Sequence, residues 1–261
     1  MSSKNKMPVL FIGHGSPMNA IANNNYTREL SDLKNSIETP KAILMISAHW
    51  LTKGTFLTAM SSPKTIHDFQ GFPKELFDIQ YKAPGSPELA EILINNISSP
   101  QIEKDMDEWG LDHGTWSVLR HMYPEANIPV IQLSMDMTRP AEYHFEMGQK
   151  IKFLRQQGVL IMASGNIVHN LRQLNWDENA LPFDWSVEFD LWVKEKALQG
   201  DFNSLVKEFT ETKSGQLSVP TPDHYYPLLY ILGAVDEKDQ LSFLFEGIQN
   251  ASISMRSFKW S

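Results

Sequence analysis

The sequence has no cysteine in 261 residues. A disulfide framework and a thiolate-held metal are both excluded, so any metal must be held by His, Asp, Glu or water. Positive charge is scarce as well: 23 Lys and Arg stand against 31 Asp and Glu, a formal net charge of -8. A nucleic-acid backbone is therefore not the expected partner, because phosphate binding needs a basic patch. No stretch has the apolar length of a membrane span. After Met1-Ser2-Ser3-Lys4-Asn5-Lys6 the apolar run is too short for a signal peptide. The expectation is a soluble, cytoplasmic protein with no membrane partner. Internal repeats, low-complexity tracts and linkers are missing too. With 42% hydrophobic residues, enough for a full core, one domain over residues 1–261 is the economical organisation. Oligomeric state is not legible.

What the chain does contain is an alternation of buried strands and helices. Pro8 to Ile12, Ala42 to Ser47, Ile128 to Ser134 and Val159 to Ala163 are short apolar runs bounded by turn residues. Gly54 to Met60 reads as a further strand, and Ile79 to Lys82 as another, stopped by Pro84. Helical spacing marks Thr27 to Ile37, a Ser86-capped helix ending before Pro100, Thr115 to Met122, Arg139 to Gln157, Trp185 to Leu198, Phe202 to Phe209 and His224 to Ala234. Leu241 to Phe245 and Ser252 to Lys259 alternate apolar and polar residues, as an antiparallel pair does. The order predicts an α/β fold: a single domain with a central mixed, largely parallel sheet flanked by helices.

Five of the eight histidines sit at turns, beside Gly, Ser, Asp or Pro: His14, His49, His113, His169 and His224. In open α/β sheets, ligands bind outside the carboxyl ends of the strands. His14 and His49 each lie two residues past a strand run, and His169 follows Val159 to Ala163, so three strands deliver an imidazole to one edge. His224 begins a helix and His113 precedes one, so both can approach from flanking loops. A single loop histidine is usually a surface residue, but the repeated placement points to a histidine-built metal site. His121 and His144 fall within helices and His67 in a polar loop; these three are read as ordinary, with the His67 loop left as a candidate border of a pocket. Gly13-His14-Gly15-Ser16 lacks the Lys and spacing of a phosphate loop, and no Gly-x-Ser-x-Gly elbow is present.

Gly13-His14-Gly15-Ser16-Pro17, Ser47-Ala48-His49-Trp50, Asp112-His113-Gly114, Gln132-Leu133-Ser134, Ser164-Gly165 with His169-Asn170-Leu171, and Pro222-Asp223-His224-Tyr225-Tyr226-Pro227 occur in this order. As a set they resemble the class III extradiol ring-cleavage dioxygenases, in particular the 4,5-DOPA extradiol dioxygenase branch. The likeness runs from about Val9 to Ala234. It implies one α/β domain, a mononuclear non-haem iron(II), and O2-dependent cleavage of a catechol beside its two hydroxyls. It further implies His14, His49 and His224 as metal ligands. His169 becomes the acid–base residue next to the metal and a candidate fourth ligand, and His113 a second acid–base or substrate-binding histidine. Protocatechuate-type members carry a glutamate as third ligand. His224 in that place fits the DOPA-type branch and makes the site neutral, so zinc is a tolerated occupant.

Two other readings remain open at this point. A zinc hydrolase would set a metal-bound water on an ester or amide, but no motif supplies its general base. A non-catalytic metal-binding protein would keep the site closed to added ligands.

Overall fold

Apolar runs that are buried on both faces form the middle of a parallel sheet, and that is where the chain's longest such runs lie. The structure, a computed structural model, describes residues 6–177 and 179–261. Most of the N-terminal stretch read against a signal peptide, Met1 to Asn5, lies outside the described residues. In chain order the strands are β1 (Val9–Gly13), β2 (Ala42–Thr52), β3 (Thr55–Thr58), the two-residue β4 (Lys64–Thr65), β5 (Ile102–Asp105), the two-residue β6 (Gly110–Leu111), β7 (Val130–Asp136), β8 (Val159–Gly165), β9 (Leu241–Phe245), the short β10 (Ile248–Gln249) and β11 (Ile253–Ser254), and β12 (Ser257–Trp260). The helices are α1 (Asn25–Leu33), α2 (Lys74–Phe77), α3 (Pro87–Asn96), α4 (His113–Met122), α5 (Ala141–Ile151), α6 (Asp184–Gln199), α7 (Phe202–Lys207), α8 (Lys213–Ser218) and α9 (Tyr226–Ala234).

Eight strands form one sheet in the order β5-β3-β7-β2-β8-β1-β12-β9. The pairs β7/β2, β2/β8 and β8/β1 are parallel. Antiparallel pairing begins at β3 on one side and at β12 and β9 on the other. The sheet is mixed and largely parallel at its centre, as the strand–helix alternation predicts. Successive side chains divide between two cores. Val9, Phe11, Leu44, Ile46, Ile161 and Ala163 pack into one face, and Leu10, Ile12, Ile43, Met45, Leu160 and Met162 into the other. That is the period-2 signature of strands covered on both sides. Among the described residues no helix is long and apolar enough to cross a membrane.

Several sequence expectations are redrawn. Ile79 to Lys82 is not a strand; Tyr81 instead takes its amide to Thr65 Oγ1 and its hydroxyl to the Tyr123 carbonyl. The helix read from Arg139 to Gln157 is α5 followed by a 3-10 segment, Lys152–Gln157, closed by Gly158 at φ 84°. The first helix starts earlier, at Asn25, where Asn24 and Thr27 form a reciprocal cap. The edge strand β5 and the Thr212-capped α8 carry too few apolar residues to be read from pattern.

The second half of the fold is drawn tight by glycines where α5 crosses α9. A Cβ on Gly233 would run into the Phe145 carbonyl oxygen, and one on Gly148 into the Tyr230 carbonyl oxygen. Gly233→Ala should therefore lower the urea midpoint. Overpacking costs about 1–3 kcal/mol, against a helix-propensity gain of about 1 kcal/mol, and the atoms met are backbone, which cannot step aside. An unchanged midpoint with an unchanged slope would contradict this reading of the crossing.

Candidate metal centre

The five turn histidines converge, each for a local reason. His14 follows β1 directly; its amide bonds to the Gly165 carbonyl, and Gly15 takes φ 63°, a conformation suited to glycine. His49 does not lie past its strand, as the sequence reading had it, but within it, because β2 continues to Thr52. On the β7 side Ile46 faces Leu133 and Leu51 faces Met135, so four residues of β2 oppose one of β7. His49 sits in that bulge, the kind of irregularity that re-aims a side chain. His113 opens α4, whose first turn is capped by Asp112. His169, four residues beyond β8, is fixed by a bridge to Ile253 and by its amide on the Ser218 carbonyl. His224 closes a 3-10 turn, Pro222–His224, that leads into α9. Its carbonyl accepts from the Asn166 amide, and Gly165 leaves room for it, since a Cβ there would meet that oxygen.

The imidazoles touch. His14 Nε2 lies 3.2 Å from His49 Nε2. Ring centroids are 5.4 Å apart for His14 and His224, 5.0 Å for His49 and His224, and 3.9 Å for His49 and His113. His169 stacks on His224 at 3.5 Å with an 8° interplanar angle. One ligating atom from each of His14, His49 and His224 fits within 4.8 Å of the others. The sets His49, Asp68, His113 and His169, Asp223, His224 meet the same distance condition.

The far nitrogens are already engaged. His14 Nδ1 is 2.7 Å from Ser164 Oγ, and His224 Nδ1 is 2.5 Å from Asp223 Oδ2. His49 Nδ1 is 3.2 Å and His113 Nδ1 is 2.8 Å from Asp68 Oδ2. An oxygen on one imidazole nitrogen fixes the ring and frees the other nitrogen, the usual setting of a metal-binding histidine. Two imidazole nitrogens sharing one metal at about 2.1 Å stand roughly 3.0–3.4 Å apart, from right-angle to tetrahedral geometry. The His14–His49 distance falls in that interval, so the donor set fits a metal.

Burial, and next the neighbouring imidazoles, hold His14, His49 and His169 well below the usual histidine value. They are neutral at pH 7, the state that can ligate or accept a proton. Burial pushes the Asp68 and Asp223 carboxyls up, but their bonds to His113 and His224 prevail and hold both below the usual carboxylate range. Asp112 is pushed up to about 6 by burial and by the charge of Asp68, against bonds from Ser47 and Gln132.

Asp68 was not anticipated. Asp112 is the carboxylate next to His113 in the chain, but it is committed to Ser47 Oγ, Gln132 Nε2 and the cap of α4. Asp68 comes from the loop beside the dismissed His67, and only the fold brings it to His113. Asp223 and Ser164 lay inside quoted motifs without an assigned role. His67, His121 and His144 stay apart, engaged with the Ile79 carbonyl, the Asn19 carbonyl and the Tyr230 hydroxyl respectively.

Residues 9–255 match the family model described as the catalytic LigB subunit of aromatic ring-opening dioxygenase. The chain belongs to the LigB family. It is 47% identical to the 4,5-DOPA dioxygenase extradiol of Escherichia coli K12, over 98% of this chain and 95% of that one. It is 34% identical to the protein of the same name from Beta vulgaris, over 100% and 98%. A crystal structure of an uncharacterized protein from Escherichia coli K12 superposes with a TM-score of 0.86 at 42% identity, covering 98% of this chain and all of that chain. Membership of a ring-opening dioxygenase family makes the chain an enzyme of that class, and the histidine cluster is where its metal chemistry can take place.

The buried imidazoles carry a pH signature. Their folded-state values lie below the unfolded value of about 6.5, so the unfolded chain binds more protons as pH falls through that value. Stability of the metal-free protein is fully present above this range and is lost as pH drops below it. The urea midpoint should fall between pH 7 and pH 5, with protons taken up on unfolding. A midpoint that stays level across that window would contradict the burial of neutral imidazoles.

Proposed function

We propose that the protein is an iron(II)-dependent extradiol dioxygenase that opens the ring of a DOPA-like catechol with O2, acting as one catalytic domain over residues 1–261. The reading rests first on three imidazoles that converge with their second nitrogens each beside an oxygen: His14 beside Ser164, His49 beside Asp68 and His224 beside Asp223. The relatives named 4,5-DOPA dioxygenase extradiol add the substrate class. In this reading His14, His49 and His224 hold the metal, with His169 stacked against His224 as an acid–base group and a candidate fourth ligand. The partners are a small catechol and O2, met in the cytoplasm, with no nucleic acid and no membrane.

Iron(II) held by His14, His49 and His224 would supply a redox route to O2 that zinc lacks. The remaining work falls to the chain. His169 is neutral and takes a proton from a catechol hydroxyl. His113, with Nδ1 against Asp68, keeps Nε2 for proton delivery later in the reaction. His14, His113 and His224 are each less than a tenth exposed, so the chemistry proceeds away from bulk water. A zinc hydrolase is disfavoured by the same contacts: Asp68 and Asp223, the carboxylates that touch the histidines, are occupied on imidazole nitrogens and neither is a free general base.

Anaerobic reconstitution with iron(II), followed by a catechol screen in an oxygen electrode, tests the reading. The iron form should consume O2 and release a yellow ring-opened product from a DOPA-like catechol, and the zinc form should not. Turnover by the zinc form with iron rigorously excluded would overturn it.

His169→Gln and His113→Gln should each lower kcat by at least about ten-fold with iron still bound, the lower end of general acid–base contributions. Metal content measured beside rate separates a lost proton carrier from a lost ligand. An unchanged rate in an iron-loaded variant would remove that residue from the mechanism.

A further inference from the structure

Asp68 reaches two histidines with different tasks. Its Oδ2 is 2.8 Å from His113 Nδ1 and 3.2 Å from His49 Nδ1, while its Oδ1 accepts the His113 backbone amide at 2.9 Å. The opposite nitrogen of His49 is the one that faces His14 Nε2. We propose that Asp68 is a positioning residue that sets the ring orientation and proton position of both His49 and His113, placing each proton on Nδ1 and leaving each Nε2 for the centre. The proposal builds on the functional reading above, which makes His49 a ligand and His113 a proton carrier.

Three features support it. The loop that carries Asp68 is clamped: the Ile66 amide bonds to the Leu111 carbonyl, Trp116 Nε1 bonds to the Ile66 carbonyl, and Phe69 packs against Phe72, Phe77 and Trp116. The carboxylate is therefore held before any ligand arrives. Capping of α4 does not explain it, because Asp112 already caps that helix. A carboxylate can only accept, so a neutral His113 ring that hydrogen-bonds to it through Nδ1 carries its proton there, and the same negative oxygen 3.2 Å from His49 Nδ1 favours a proton on that side of His49 as well. Such outer carboxylates orient metal-bound histidines and raise their donor strength, and their loss typically costs 10–100-fold in metal affinity or activity. In this chain the loss should fall on both histidines at once.

The test uses the full chain with zinc as a diamagnetic probe. Long-range 15N–1H spectra of the metal-free wild type at pH 8, with rings assigned by single His→Gln variants, should show His49 and His113 protonated on Nδ1. In Asp68→Asn that preference should be lost, and zinc affinity by chelator competition should fall on the order of 10–100-fold. Protons on Nε2 of both rings in the wild type would overturn the proposal, and this measurement needs no folded variant. So would an Asp68→Asn protein with unaltered ring signals and zinc affinity within two-fold of wild type. Neither readout depends on turnover. Altered tautomers and affinity together with no catechol cleavage by the iron form would sustain the role of Asp68 and sink the dioxygenase reading.

Discussion

Imidazoles crowded within 3.5 to 5.5 Å of one another cannot share a buried site as cations. Burial and the neighbouring imidazoles favour the neutral form of His14, His49 and His169, and a neutral imidazole turns a lone pair toward something. The fold answers by placing an oxygen on one nitrogen of four of them: Ser164 at His14, Asp68 at His49 and His113, and Asp223 at His224. The lone pairs that remain are gathered at one place. Metal affinity and proton transfer both draw on that arrangement.

The sheet delivers it. β1, β2 and β8 are neighbours and run the same way, so the residues after or near their carboxyl ends reach a common edge. β2 overshoots the edge, and its bulge against β7 keeps His49 among the others. Behind the edge, α9 starts at the His224 turn and is pressed onto α5 through Gly233 and Gly148. The same glycine economy at Gly165 lets the His224 carbonyl approach β8. Packing far from the histidines therefore sets where one of them stands.

The parallel core was legible because each of its strands is a continuous apolar run, and the histidines because each stands beside a turn residue close to such a run. β5, Ile-Glu-Lys-Asp, escaped since an edge strand with one apolar residue has no readable pattern. Ile79 to Lys82 misled because four residues cannot distinguish a strand from an extended loop. Asp68 was hidden for a different reason. Its partner His113 is 45 positions away, and the nearer candidate, Asp112, is turned instead toward Ser47 and Gln132. Chain proximity favoured the wrong carboxylate, and only the packing of the 66–69 loop on Trp116 names the right one.

Three overlapping ligand sets compete for a metal: His14 with His49 and His224, His49 with Asp68 and His113, and His169 with Asp223 and His224. The first set should win, because the carboxylates of the other two are already bonded to imidazole nitrogens. Anomalous scattering at the iron edge from crystals grown anaerobically with iron(II) locates the ion directly. The expected result is a single peak bound by His14, His49 and His224, with Asp68 and Asp223 outside the ligand sphere. A peak bound by Asp68 and His113, or by Asp223 and His169 without His14, would contradict it.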